Sequence, residues 1–195
     1  MPGITIDGNS YEAAEGTTLM EVARHEGLPI SSVCYSDHLQ SYGSCRLCVV
    51  QVEGQRALSA ACTTVVREGM VVETGTPDVR RIRRTLLELY LSENEGRYRP
   101  GGSAHAELND LAAEYEADST RLQGERYTVR PATVDNTGPY FSFDPSLCIL
   151  CARCVRACDE VQGQNVLHLE GRGFDTRVVD LRSVQSKVFV SASHD

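Results

Sequence analysis

The 195-residue sequence predicts an α+β fold, in which a small sheet with one helix is followed by further helices and a cysteine-rich part. Three observations lead to this prediction. Short segments within residues 1–76 alternate apolar and polar residues, which is typical of half-buried strands. Residues 77–92 repeat apolar residues with the period of a helix. From Tyr140 the pattern changes again, and cysteines then recur every three or four residues.

The first predicted element is a hairpin, because two alternating segments flank the turn residues Asp7-Gly8-Asn9. Thr17 or Thr18 is expected to cap a helix that Gly27 ends. Three further strands are predicted, at residues 48–53, 56–60 and 70–74. A few strands wrapped on one helix, with a cysteine-rich loop between them, form the outline of a β-grasp domain.

A second helix is predicted from Pro77 to about Ser92, since proline is favoured in the first turn. Its apolar stripe is predicted to comprise Val79, Ile82, Leu86 and Leu89. Four arginines lie mostly off that stripe: Arg80, Arg81, Arg83 and Arg84. We interpret them as a solvated helix face that could dock an acidic neighbour.

The remaining elements are shorter. Residues 93–103 are predicted to be a loop, and residues 105–117 a short helix with Leu108 and Leu111 directed inward. Residues 118–139 are expected to be a linker, and a strand-like segment starts at Tyr140. A small hairpin is predicted around Gly171-Arg-Gly173. The domain prediction is therefore residues 1–76, a helical and linker region at 77–138, a cysteine-rich segment at 139–182, and a tail at 183–195.

Composition narrows the function classes. The net charge of −8 argues against nucleic-acid binding, which requires a basic face. No apolar run is long enough to span a membrane, and the first residues do not have the pattern of a secretory signal. The cytoplasm is therefore the expected compartment. Thiols stay reduced there, so the eight cysteines favour metal binding over disulfides.

The first cysteine group has the spacing C-x10-C-x2-C-x13-C, comprising Cys34, Cys45, Cys48 and Cys62. Two irons bridged by sulfides need four thiolates from two sides, and the sequence predicts a 2Fe–2S cluster here. Cys45 and Cys48 are expected to hold one side, and Cys34 and Cys62 the other. Gly43 is expected to let the backbone approach the cluster. The alternative is a structural zinc site, although zinc ribbons generally use two close C-x2-C pairs.

The second group has the C-x2-C-x2-C-x3-C spacing of bacterial 4Fe–4S ferredoxins, comprising Cys148, Cys151, Cys154 and Cys158. The first three thiolates are predicted to bind three corners of a 4Fe–4S cluster. The fourth ligand stays open, because the fourth cysteine of such a run serves a second cluster and no later cysteine follows. Cys158, a non-cysteine ligand or a partner chain could fill the corner, or the cluster could be 3Fe–4S. An empty site is the alternative.

Together these residues resemble a known family. The order of the two groups is similar to the N-terminal iron–sulfur region of the NAD-linked molybdenum formate dehydrogenase alpha subunit. It also resembles the complex I large iron–sulfur subunit and the small diaphorase subunit of NAD-reducing hydrogenases. The closest local matches are Gly43-Ser-Cys-Arg-Leu-Cys, Pro139-Tyr-Phe-Ser-Phe-Asp-Pro and Gly171-Arg-Gly-Phe-Asp-Thr-Arg-Val. The family also carries a His and three Cys for another 4Fe–4S cluster, but those positions fall near Asn94, Tyr98, Gly101 and Ala106.

This resemblance implies an electron relay between a flavin/NAD(H) subunit and a catalytic subunit of an oxidoreductase. The degenerate His-Cys region implies that the additional cluster is absent, and His105 is interpreted as a surface residue. No catalytic site, flavin or molybdopterin is expected in this chain. Three alternatives remain: a redox-inactive docking or assembly module, a fragment of a larger oxidoreductase, and a zinc-stabilised structural domain.

Overall fold

The computed structural model describes residues 1–93, 106–122, 134–136 and 142–180. Its contacts divide the chain into two compact units, Met1–Gln123 and Gly124–Asp195. The helical region that follows residue 77 therefore belongs to the first unit as far as residue 123. Several predictions fall outside the described residues: those for Asn94, Tyr98, Gly101, His105, Tyr140 and the tail from residue 183.

A five-stranded sheet lies at the centre of the first unit. In chain order its strands are β1 (Gly3–Ile6), β2 (Asn9–Glu12), β3 (Val49–Val52), β4 (Ser59–Ala60) and β5 (Met70–Glu73). Their order across the sheet is β2-β1-β5-β3-β4. The pair β1–β5 is parallel, with Ile4 opposite Met70, and the other pairs are antiparallel. The first and last strands thus meet in the middle, and the predicted mixed α+β fold is confirmed.

Helix α1 (Leu19–His25) begins at the capping residue Thr18, one of the two predicted candidates. The Glu21 N–H donates to Thr18 Oγ1 at 3.3 Å, and the Thr18 N–H donates to Glu21 Oε2 at 2.6 Å. This reciprocal capping box satisfies two helix-end donors. Two more donors at this end are satisfied across the fold, by the carbonyls of Thr64 and Ala61. These two hydrogen bonds therefore also hold the segment around Cys62 against the start of α1.

The hydrophobic core lies between α1 and one face of the sheet. Ile4, Ile6, Val50, Val52 and Val72 contribute from the strands. Leu19, Met20, Val22 and Ala23 contribute from the helix. The same cluster of buried residues includes Cys48 and Cys62. Since interiors of this kind are closely packed, those two thiols are held in place by the core itself.

Helix α2 (Pro77–Glu93) agrees closely with its predicted bounds, and α3 (Ala106–Glu114) packs against it. The predicted apolar stripe is right at Val79, which is buried, but wrong at Leu89, which is 47% exposed; Ile82 and Leu86 are half-buried. The buried residues of α2 are Val79, Arg83, Leu87, Glu88 and Leu91. Positions 79, 83, 87 and 91 follow the i, i+4 spacing of one helix face, and that face includes an arginine. The prediction that Arg83 is solvated is therefore also wrong, since it is only 2% exposed.

The second unit contains a short helix and a hairpin. Helix α4 (Arg153–Arg156) continues as a π-helical turn over Ala157–Val161. Strands β6 (Leu167–Glu170) and β7 (Arg177–Asp180) pair antiparallel, which confirms the predicted hairpin. Gly171 has φ +81° at its turn, and an added Cβ would collide with the Asp175 carbonyl. In the parts of the chain that the structure describes, no helix has the length and apolar character to cross a bilayer.

Candidate metal centre

The four cysteines of the first group are all buried, with exposures of 1–2%. Cys34 follows α1 in the chain, Cys45 and Cys48 lie in the loop that leads into β3, and Cys62 lies two residues after β4. The pairing of β3 with β4 places Val49 opposite Ala60, and the Ala61 N–H donates to the Cys48 carbonyl at 3.0 Å. The sheet thereby brings Cys48 and Cys62 together from distant parts of the sequence.

The thiols are arranged as two pairs. The sulfur atoms of Cys48 and Cys62 lie 3.4 Å apart, and the Cys45 N–H donates to the Cys34 sulfur at 3.4 Å. This pairing differs from the predicted one, in which Cys45 and Cys48 shared a side. Arg46 has a left-handed backbone (φ +58°) between them. We attribute the difference to the strand pairing, which places Cys62 beside Cys48 and leaves Cys45 beside Cys34.

Each pair contains one thiol whose pKa is lowered and one whose pKa is raised. The hydrogen bond between the Cys34 and Cys45 thiols lowers the pKa of Cys45 to about 6, although burial opposes the shift. The same thiol–thiol bond, with burial, raises the pKa of Cys34, although the Cys45 N–H lowers it. The hydrogen bond with Cys62 likewise lowers the pKa of Cys48 to about 7, and the pKa of Cys62 is raised. Above about pH 7 each pair therefore carries a thiolate, which is the form that binds metal.

The loop before Cys45 makes close contact with the segment after Cys62. Gly43 has φ +67°, and an added Cβ would lie 3.2 Å from Thr63 Cγ2. A side chain at this position would therefore be strained both in its backbone and against its neighbour. The two cysteine-bearing segments can approach each other this closely because residue 43 is glycine.

The donor set fits a binuclear cluster. Four buried sulfurs in two pairs match what two bridged irons require, since each iron takes two thiolates. A backbone N–H already points at one of the sulfurs, as is common around such clusters.

The second cysteine group is more open. Cys148 and Cys151 are half-buried and Cys154 is exposed. Leu150 and Ala152 have left-handed backbones (φ +55° and +58°), and the Leu150 N–H donates to the Cys148 sulfur at 3.4 Å. Although Cys154 is exposed as a residue, protein atoms around its sulfur raise its pKa, and the nearby Cys151 and Cys148 sulfurs raise it further. These three thiols are thus gathered around one tight loop.

Cys158 follows that loop in the chain. It is buried in the π-helical turn that follows α4. Its sulfur accepts a hydrogen bond from the Val166 N–H at 3.3 Å, next to the start of β6. In the described residues the first three cysteines therefore share a loop, and the fourth is held towards the hairpin.

Sequence reasoning missed a polar network beside the first group. Arg83 Nη2 donates to the Val49 carbonyl at 2.7 Å, and Arg83 Nη1 donates to the Tyr115 hydroxyl at 2.8 Å. The Tyr115 oxygen also lies 3.0 Å from Ser31 Oγ. Val49 is the residue after Cys48, and Ser31 lies three residues before Cys34. The network therefore contacts a chain segment next to each of the two thiol pairs. The sequence did contain an indication that Arg83 is buried, because Val79, Leu87 and Leu91 lie on the same helix face at intervals of four residues from it.

Comparison with known proteins agrees with this geometry. Residues 3–77 match the family described as "2Fe-2S iron-sulfur cluster binding domain". The chain is 34% identical over 182 residues to "NADH-ubiquinone oxidoreductase 75 kDa subunit" of Reclinomonas americana, covering 91% of this chain and 26% of that protein. It is 28% identical over 176 residues to "Putative formate dehydrogenase SH0748" of Staphylococcus haemolyticus (strain JCSC1435), covering 90% of this chain and 18% of that protein. The chain thus spans about a quarter or less of the length of these relatives.

A solved structure is similar over most of the chain. It is described as "Crystal structure of NAD+-reducing [NiFe]-hydrogenase in the H2-reduced state". The TM-score is 0.80 at 29% identity, covering 92% of this chain and 75% of that one. Residues 3–77 are therefore similar to 2Fe–2S iron–sulfur cluster binding domains, and most of the chain is similar to parts of an NADH-ubiquinone oxidoreductase subunit, an NAD+-reducing hydrogenase and a putative formate dehydrogenase.

Proposed function

We propose that this chain is an electron relay and that Cys34, Cys45, Cys48 and Cys62 hold its 2Fe–2S cluster. The observation that carries the proposal is the burial of four sulfurs as two close pairs, in which the charges of one pair act on the thiols of the other. The bound cluster would supply one-electron oxidation and reduction. The chain's own residues would supply thiolates, exclude water, and donate backbone N–H groups to sulfur.

We further propose that Cys148, Cys151 and Cys154 bind a 4Fe–4S cluster in a segment resembling half of a bacterial ferredoxin. The left-handed residues Leu150 and Ala152 support this, because they turn the loop tightly enough to gather three thiols. The fourth ligand in this proposal is Cys158. Its sulfur already accepts a hydrogen bond from the Val166 N–H, as sulfurs that bind such clusters commonly do.

The partners we propose are a flavin/NAD(H)-binding subunit, which would deliver or accept electrons, and a catalytic subunit at the other end of the relay. The names of the similar proteins support this, since they include NADH-ubiquinone oxidoreductase and NAD+-reducing hydrogenase. A formate dehydrogenase-type assembly is the most specific form of the proposal, and the similarity to the Staphylococcus haemolyticus protein supports it. Chemistry beyond electron transfer would belong to the partners.

The relay is tested on the full chain, purified without oxygen. We expect iron and acid-labile sulfide in the protein, and an EPR signal of a reduced 2Fe–2S centre after addition of dithionite. Cys45→Ser should abolish that signal, whereas the matched change Cys151→Ser should leave it intact and remove any 4Fe–4S signal. A colourless protein without iron would contradict the relay and favour a redox-inactive docking module. Zinc in place of iron would favour a structural zinc domain.

A further inference from the structure

We propose that Arg83 raises the reduction potential of the 2Fe–2S cluster through its buried positive charge. The inference rests on the function proposed above, since it concerns the cluster held by the first cysteine group. Arg83 is 2% exposed, yet it lies on a helix whose neighbouring arginines, at positions 80, 81 and 84, are exposed. A buried arginine needs a physical reason, because removing a guanidinium from water is costly.

The charge of Arg83 lacks a carboxylate partner in the described part of the chain. In residues 1–93, 106–122, 134–136 and 142–180, no carboxylate pairs with Arg83, and its Nε atom has no hydrogen-bond partner. The other buried charged side chain of α2, Glu88, is paired with Arg84 and Arg121. Among these residues, Arg83 therefore brings an unpaired positive charge into the interior of the first unit.

The guanidinium is held close to the cysteine group. Its Nη2 donates to the carbonyl of Val49, the residue directly after Cys48, at 2.7 Å. Its Nη1 donates to the Tyr115 hydroxyl at 2.8 Å, and the guanidinium carbon lies 5.8 Å from the centre of the Tyr115 ring. Three contacts thus keep the charge in one position, one residue along the chain from a proposed ligand.

The sign of the effect follows from the charge of the cluster. Four thiolates and two sulfides outweigh two ferric ions, so the oxidised cluster is an anion, and reduction adds one more negative charge. A nearby cation stabilises the more negative state more strongly. Salt screens a buried charge only weakly, so the effect should persist at high ionic strength. Two unit charges about 10 Å apart in a medium of effective dielectric constant about 20 interact strongly enough to change an equilibrium constant about tenfold, which is the size of effect we expect.

The test is a redox titration of the full, cluster-loaded chain, followed by EPR. Arg83→Gln should lower the reduction constant about tenfold, which is 59 mV for a one-electron couple. Arg83→Lys keeps the charge and should stay within about threefold of the wild type. Arg81→Gln is the matched control, because Arg81 is an exposed arginine of the same helix, paired with the exposed Asp78, and should also stay within about threefold.

A merely structural role predicts a different result. If Arg83 only braced Val49, its replacement would speed cluster loss without lowering the potential, and that outcome would overturn the proposal. So would an equal shift in Arg83→Lys and Arg83→Gln. Should Arg83→Gln not fold, Arg83→Met brings no polar group of its own into the site and carries the same expectation. If the wild type shows no 2Fe–2S signal at all, it is the relay proposal that fails.

Discussion

The sulfur atoms of Cys48 and Cys62 lie 3.4 Å apart, although 14 positions separate the two residues in the sequence. The contact exists because β3 and β4 pair, with Val49 opposite Ala60. Cys34 and Cys45 form the other pair, through the Cys45 N–H. This arrangement divides the four thiols differently from the local C-x2-C spacing, and it can be tested without any cluster.

Mild oxidation of the cluster-free protein should therefore give selective disulfides. We expect diamide to form Cys48–Cys62 and Cys34–Cys45, because thiol–disulfide exchange requires sulfurs that can reach each other and a thiolate to attack. Peptide mapping by mass spectrometry identifies the pairs. Cluster-loaded protein, in which the thiols are occupied, is the control. A dominant Cys45–Cys48 disulfide would show that the two-pair arrangement is wrong.

The stability of the cluster-free protein should increase between about pH 6 and pH 9. The pKa values of Cys45 and Cys48 are lowered from 9.0 to about 6 and about 7. The two thiolates stabilise the folded state fully above the pKa of an unfolded cysteine, and this stabilisation is lost as the pH falls through their pKa values in the folded protein. The raised pKa values of Cys34 and Cys62 affect stability only above pH 9, where the stabilisation from these neutral thiols is lost as the pH rises.

Urea denaturation of the cluster-free protein across this pH range measures the effect. The variant Cys45→Ser/Cys48→Ser lacks both low-pKa thiols and should show a flatter dependence on pH. A wild-type stability that falls steadily from pH 6 to pH 9 would contradict the assignment of the thiolates.

Gly43→Ala should weaken cluster retention. The substitution places a Cβ on a left-handed backbone and 3.2 Å from Thr63 Cγ2, so it introduces both backbone strain and a close steric contact. Gly54→Ala is the matched control, since Gly54 also has a positive φ (+79°) but nothing within 4 Å of an added Cβ. Each change should cost about 1 kcal/mol in backbone strain, and only Gly43→Ala should also move the cysteine-bearing segments apart.

The measurement is the rate at which the visible absorption of the cluster bleaches in the presence of a chelator. We expect Gly43→Ala to bleach several-fold faster than the wild type, and Gly54→Ala to bleach at nearly the wild-type rate. Equal rates for both variants would mean that strain alone, and not the approach to Thr63, limits cluster retention.

Glu88→Gln should destabilise the first unit by about 2 kcal/mol at neutral pH, a typical value for losing hydrogen bonds to a buried charge. Glu88 is fully buried, and it accepts from Arg84 Nε at 3.1 Å and from Arg121. Burial alone would raise the pKa of Glu88, but the hydrogen bonds from Arg121 and Arg84 outweigh it and lower the pKa below its usual 4.5. The contribution is therefore present above about pH 4.5 and is lost as the pH falls through the lower, folded value.

Chemical denaturation at pH 7 and at decreasing pH tests this. The difference between wild type and Glu88→Gln should shrink in acid. Asp78→Asn is the control, since the Asp78–Arg81 pair is about two-thirds exposed on both sides and should contribute less than about 0.5 kcal/mol. A Glu88→Gln effect as small as that of Asp78→Asn would contradict the importance of the buried network.

Much of the local structure was predictable from the sequence. The turn at Asp7-Gly8-Asn9, the cap at Thr18, the start of α2 at Pro77 and the hairpin around Gly171 all depend on residues within one turn of each other. Such features follow from backbone sterics and nearby hydrogen bonds. The spacing of both cysteine groups could be read in the same way, because thiolate ligands impose distinctive intervals along the chain.

The sequence alone determined which residue types carry the chemistry: eight cysteines at two spacings, in a chain of mixed helices and strands. Only the tertiary structure decided that Cys48 pairs with Cys62, that β1 lies beside β5, and that the charge of Arg83 is buried next to Val49. These are contacts between residues far apart in the chain. Their formation depends on how the whole core packs. The helical period of α2 indicates that residue 83 faces inward, but no local period or motif encodes which distant residue it meets.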